Sequence, residues 1–192
     1  MQTSLNSWIF FHRSSRNMRS VTVRMMVVTI LAPVVGLALD AGGAADELVQ
    51  SMQARIDRVK DLVARTTSRP RVFYQIGIAP IVSAGTETCI NELIVLAGGE
   101  NLAAGDVPYP RFSREQVLAL APEVFIITSM ARGAIFEQVR DQWRQWTDLP
   151  AVRDDRIFLQ ESNLVDRPTP RLVDGLELMA RMIHPELFDG SK

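Results

Sequence analysis

Two histidines and one cysteine, His12, His184 and Cys89, are the only soft ligands or nucleophiles of their kind in the chain. The histidines lie far apart, and no His, Cys and carboxylate fall at metal-ligand spacing, so no zinc site is expected. A single cysteine cannot close an internal disulfide, and Cys89 reads as a small buried hydrophobe. Ser83, Thr86 and Glu87, in "VSAGTE", have no histidine within reach of any nucleophile motif. The sequence has no glycine-rich phosphate loop, no GxSxG elbow and no HExxH helix. "AGGEN" (97–101) closes a helix rather than opening one, so its glycines do not cradle a phosphate. Catalytic residues, metals and cofactors are therefore not expected.

What remains is chemistry of recognition. "VPYPRFSREQVLALAPEVFIIT" (107–128) sets Tyr109 and Phe112 in a proline-stiffened loop and then places Glu115 where an apolar helix begins. Rigid aromatics on such a loop make a binding wall at low entropic cost; alternatively, they plug their own domain. Ser113 and Gln116, three apart, form a capping box that exposes Arg114 and Glu115 in the first turn. A carboxylate there is favoured by the helix dipole alone. Trp143 and Trp146, three apart, read as core or inter-helix packing.

The elements that must position these residues follow from periodicity. Leu48, Val49, Met52, Ile56, Val59, Leu62 and Val63 recur at helical steps, predicting one long amphipathic helix that Pro70 ends. "RVFYQIGI" (71–78) reads as a strand and "TCINELIVLAGG" as a helix closed by Gly98 or Gly99. "EVFIIT" (123–128) is apolar enough for a sheet buried on both faces. A helix over 133–146, a strand over 156–160 and a helix over 169–183, with Thr169 as N-cap and Pro170 in the first turn, complete the pattern. Alternating strands and helices predict an α/β lobe with a mostly parallel sheet flanked by helices, preceded by the long helix.

The chain has 192 residues, 47% of them hydrophobic, with a formal net charge of -1. That length allows one domain with an appendage. The near-neutral charge argues against a nucleic-acid partner. No internal repeat or low-complexity tract is present. Residues 1–24 carry five basic residues, His12, Arg13, Arg16, Arg19 and Arg24, and no acid. Fifteen uncharged residues follow, Met25 to Leu39, fewer than the roughly 20 of a membrane span. They fit the apolar region of a secretory signal peptide, with Gly43 and Ala45 at the small-x-small positions before a cut. Read from Met18, "MRSVTVR" is a compact basic region. The alternative is a buried element of the folded domain.

The stretch from "RVFYQIGI" through "AGGEN" and "SREQVLALAPEVFIIT" to the closing "RPTPR" resembles, in order and spacing, the carboxyl-terminal lobe of the substrate-binding proteins of ABC importers for cobalamin and ferric siderophores. The resemblance covers about residues 45–188. It implies a signal-peptide-like or degenerate segment over 1–45, a connecting helix over 46–69 and the carboxyl-terminal lobe of a periplasmic-binding-protein fold over 70–188. In that fold two α/β lobes, joined by a long helix, hold ligand in the cleft between them. The first lobe would precede the helix and is largely missing here, as in a family member cut in half. The protein would be exported to the periplasm or cell exterior and deliver its ligand to a membrane permease.

Residue by residue, Tyr109 falls where cobalamin-binding members carry a Trp against the ligand. Val82 falls at an apolar ligand-facing position where an aromatic is expected. Asn163, replacing an acid, and Arg167 match two polar ligand contacts in "ESNLVDRPTPR". Glu115 matches the acidic knob that pairs with permease arginines. The implied ligand is cobalamin, a ferric siderophore or haem. Large flat ligands suit apolar and aromatic walls with few polar groups. Taken alone, Arg167 reads as a loop residue in a surface pair with Asp166 or Glu161, worth at most about 1 kcal/mol. The alternatives are a non-binding remnant of such a protein, or a small α/β enzyme.

Overall fold

The computed structural model describes residues 42–129, 134–165 and 169–188. The apolar segment 25–39, His12, and Asp166, Arg167 and Pro168 lie outside the described residues. The chain divides into two compact units, Met1–Gln53 and Ala54–Lys192. In the first, the described residues begin helix α1 (Gly42–Val63). In the second, α1 continues and buries Ile56, Val59 and Val63, the repeating apolar positions of the sequence, while Leu48 nearer its start is exposed. Arg55 on α1 makes a forked pair with Glu177, at 2.9 and 2.7 Å, and a bond to Asp174 at 2.6 Å.

Four parallel strands follow in the order β3-β1-β5-β6. They are β1 (Arg71–Gln75), β3 (Glu100–Asn101), β5 (Val124–Ser129) and β6 (Ile157–Glu161). β1 and β5 pair from Val72↔Val124 to Gln75↔Ile127, and β5 and β6 from Phe125↔Ile157 to Ser129↔Glu161. The middle of the sheet is apolar on both faces, as parallel strands covered by helices require. On one face Phe73 and Phe125 lie 5.3 Å apart, and Phe125 packs 4.8 Å from Trp143. Trp143 sits on α4 (Ala134–Arg144). The other face carries α2 (Cys89–Leu96) and α6 (Leu172–Ile183), which pack together and bury Leu93, Ile94, Leu176, Met179 and Ile183.

Gly98 closes α2 at a φ of 83°, the left-handed cap expected of "AGG", with Gly99 N–H bonded back to the Ile94 carbonyl at 2.9 Å. Several expectations need correction. Thr169 is not a cap, since α6 starts at Leu172 behind Arg171. The Leu172 N–H bonds to the Thr169 carbonyl at 2.9 Å, so Thr169 and Pro170 form a tight turn ahead of the helix. Trp143 is core, but Trp146 is 42% exposed, because α4 ends at Arg144 and the chain turns there. Cys89 is half-buried rather than buried. A four-residue helix, α5 (Pro150–Arg153), has no counterpart in the sequence reading.

Candidate functional site

Beyond Gln75 the chain turns back on itself, with the Ile76 N–H bonded to the Val82 carbonyl at 2.8 Å. It then enters β2 (Ile81–Val82), which pairs antiparallel with β4 (Arg111–Phe112): Ile81 faces Phe112 and Val82 faces Arg111. The pairing continues past both strands. Ser83 N–H donates to the Pro110 carbonyl at 3.0 Å and Gly85 N–H to the Pro108 carbonyl at 2.8 Å. Prolines offer no N–H, and here their carbonyls do the work. The Pro108–Tyr109–Pro110 segment is thereby laid along residues 83–85.

This ribbon separates the two aromatics of the loop. Phe112 is half-buried and meets Phe73 edge-on, 5.3 Å between centroids at 83°, a favoured aromatic geometry. Tyr109 is 60% exposed and its neighbour Val107 59%. Phe112 plugs its own domain, and of the two aromatics only Tyr109 is left facing solvent. Val82 is half-buried on the facing arm.

Asn163 is exposed in a 3-10 turn, Ser162–Leu164, directly after β6. The structure thus joins Val82 and Tyr109 on one ribbon, with Asn163 on a separate loop at the same carboxyl edge of the sheet. Ligands of open α/β sheets bind outside that edge. Arg167 lies outside the described residues.

What anchors the ribbon to the sheet is not evident from the sequence. Gln75, 1% exposed, accepts from Trp143 Nε1 at 2.9 Å and donates Nε2 to the Gly77 carbonyl at 2.9 Å. The available signal was a lone Gln after the apolar run Val72–Tyr74. A cavity beside it, lined by Ile78, Ile81, Arg114 and Val139 among others, measures about 30 Å³, room for a few waters at most. Among the described residues no group of His, Cys, Asp and Glu is placed to hold a metal, and no helix is long and apolar enough to cross a membrane.

Glu115 stands in the first turn of α3 (Arg114–Leu120), exposed. The expected capping box is present: Ser113 Oγ accepts from the Gln116 N–H at 3.2 Å, and the Ser113 N–H donates to Gln116 Oε1 at 2.7 Å. The Glu115 backbone N–H, the Ser113 hydroxyl and, less strongly, the Arg114 charge hold its carboxyl below the usual glutamate range. It is a fixed anion on an exposed turn.

The family profile described as periplasmic binding protein matches residues 30–164. The chain is 30% identical over 156 residues to an uncharacterized ABC transporter substrate-binding lipoprotein, YvrC, of Bacillus subtilis, covering 78% of this chain and 48% of that one. It is 33% identical over 139 residues to a vitamin B12-binding protein of Vibrio parahaemolyticus, covering 69% and 49%. The periplasmic heme-binding protein RhuT of Roseiflexus sp. superposes with a TM-score of 0.70 at 25% identity, over 83% of this chain and 62% of that one. The chain spans about half the length of the curated relatives it matches. Profile, relatives and fold agree on one assignment: the chain belongs to the periplasmic binding protein family, a class of solute-binding proteins rather than of enzymes.

Proposed function

We propose that the protein is the exported ligand-binding component of an ABC importer for cobalamin, haem or a ferric siderophore. Residues 46–69, most of them in helix α1, serve as the connection between lobes and 70–188 as the carboxyl-terminal lobe. The observation that carries this reading is Tyr109, 60% exposed on an arm whose backbone is pinned to the facing arm. A rigid, exposed aromatic offers a flat ligand a contact face at little entropic cost. Val82 adds apolar surface beside it. Asn163, and Arg167 after it, supply hydrogen bonds to the polar rim that corrinoids, haem propionates and iron chelates share. Glu115 meets an arginine of the membrane permease.

The platform is open, whereas good pockets bury 70–90% of a ligand's surface. The described residues offer one wall, and the protein alone binds weakly. Calorimetry with cyanocobalamin, haemin and a ferric hydroxamate tests this. A weak heat of binding with at least one ligand, lost in Tyr109→Ala, supports it. Sub-micromolar binding contradicts the one-walled site, and no heat with any of the three at about 1 mM, the scale of a -4.1 kcal/mol interaction, contradicts ligand binding by this face.

A further inference from the structure

Three successive backbone carbonyls, those of Ala84, Gly85 and Thr86, lie outside any strand, and each is met by a side chain. Asn101 Nδ2 donates to Ala84 at 2.8 Å, Thr88 Oγ1 to Gly85 at 2.8 Å and Asn91 Nδ2 to Thr86 at 3.0 Å. Asn101 is the hub. The same amide nitrogen also donates to Asn91 Oδ1 at 2.9 Å, and Asn101 Oδ1 accepts the Ala103 N–H at 3.0 Å. Both amide hydrogens and the carbonyl oxygen are thus engaged. Asn101 is buried, in β3, in register with Val72 of β1. The second arm closes on the first nearby, where the Gly105 N–H donates to Thr86 Oγ1 at 2.9 Å.

We infer that Asn101 is a positioning residue for the ligand platform: it ties the Val82 arm to the sheet edge through the Ala84 carbonyl, and that arm's own bonds to residues 105–110 carry the Tyr109 arm with it, so that the sheet fixes the spacing of the two contact residues. Its meaning for binding rests on the function proposed above. Loops carrying binding residues are imprecise unless supporting hydrogen bonds lock them to rigid elements. Backbone bonds, those of the two-residue β2–β4 pairing and of Ser83 and Gly85 to the Pro110 and Pro108 carbonyls, hold the arms to each other; the side-chain bonds above, with that of Ser83 Oγ to the Tyr74 carbonyl at 2.6 Å, hold them to the lobe. Other residues cannot stand in readily. Aspartate has the shape but only acceptors, glutamine has the donors but an extra methylene in a buried site, and serine reaches neither partner.

The test uses Asn101→Asp in the full chain. The carboxylate keeps an acceptor for Ala103 and turns an oxygen toward two acceptors, the Ala84 carbonyl and Asn91 Oδ1. Hydrogen exchange of the Ser83, Gly85, Thr86 and Gly105 amides is expected to speed by about tenfold or more, while the Ala103, β1 and β5 amides keep their rates. A second readout is fluorine NMR of protein labelled with 3-fluorotyrosine, which gives two signals because Tyr74 and Tyr109 are the two tyrosines. The Tyr109 signal is expected to move and the Tyr74 signal to stay. Asn91→Ala, which leaves the Asn101–Ala84 bond, is expected to give a smaller change of the same pattern. Equal acceleration across sheet and arms in both variants would assign Asn101 to general stability and overturn the inference; so would arms and Tyr109 that do not respond. Neither readout needs ligand, so a failure of the wild-type chain to bind ligand counts against the proposed function alone.

Discussion

Gly85 approaches Val107 so closely that a Cβ on Gly85 would run into the Val107 carbonyl, and Gly85 also donates its N–H to Pro108 at 2.8 Å. The two arms of the ribbon touch backbone to backbone here, and only glycine permits it. Gly85→Ala must therefore spread the arms. Overpacking of this kind costs roughly 1–3 kcal/mol, seen as a lower urea midpoint. The loss should be larger than that of Gly105→Ala, where a Cβ meets nothing within 4 Å.

Trp143→Phe removes the indole donor and leaves Gln75 Oε1 buried without that partner. An unsatisfied buried acceptor costs about 1–3 kcal/mol, so the variant should unfold at lower denaturant. The double variant Trp143→Phe with Gln75→Leu should recover part of that loss. Equal stability of wild type and single variant would show the bond to be unimportant.

Acid should loosen α1 from α6. The hydrogen bonds from Arg55 hold the Glu177 carboxyl below its usual range, although burial opposes this. A depressed folded value means the stabilisation is present above the ordinary glutamate value of about 4.3 and is lost as pH falls through the lower folded value. The pair is partly exposed, so its contribution is about 1 kcal/mol. Arg55→Met should show a stability–pH curve flatter than wild type in that acid window; identical curves would show that the pair does not stabilise the fold.

Glu115 and Tyr109 should separate in function. In a chimera carrying these residues in place of the matched part of the Vibrio parahaemolyticus protein, Glu115→Arg should abolish uptake while ligand affinity is unchanged. Loss of one partner of a desolvated interfacial ion pair costs about 2–5 kcal/mol. Tyr109→Ala should weaken ligand binding first. Normal uptake by Glu115→Arg would leave Glu115 as a helix-dipole residue only.

The sheet and its helices were legible because their signals are local and repeated. "EVFIIT" is an apolar run long enough to read, the Ser113–Gln116 box is a spacing, and Gly98 is the residue a left-handed cap selects. The ribbon was not legible. β2 and β4 are two residues each, too short for any period, and only their register decides that Phe112 turns inward while Tyr109, three residues earlier in the same proline-rich segment, stays out. The Asn101 hub was hidden for a related reason. "AGGEN" announces a helix end, and nothing in it says that its Asn reaches a loop 17 residues earlier in the chain. Trp146 lies off the helical face because α4 ends at Arg144, and the helical period that would bury it does not extend past that residue.

Ligand binding by the Tyr109 face is tested by titrating the ¹⁵N-labelled chain with cyanocobalamin, then with haemin and a ferric hydroxamate, and following amide chemical shifts. Shifts are expected at 81–85, at 107–112 and around Asn163 for at least one ligand, with a dissociation constant weaker than about 1 μM. Saturating shifts elsewhere on the lobe, with the Tyr109 arm unmoved, would contradict binding by that face.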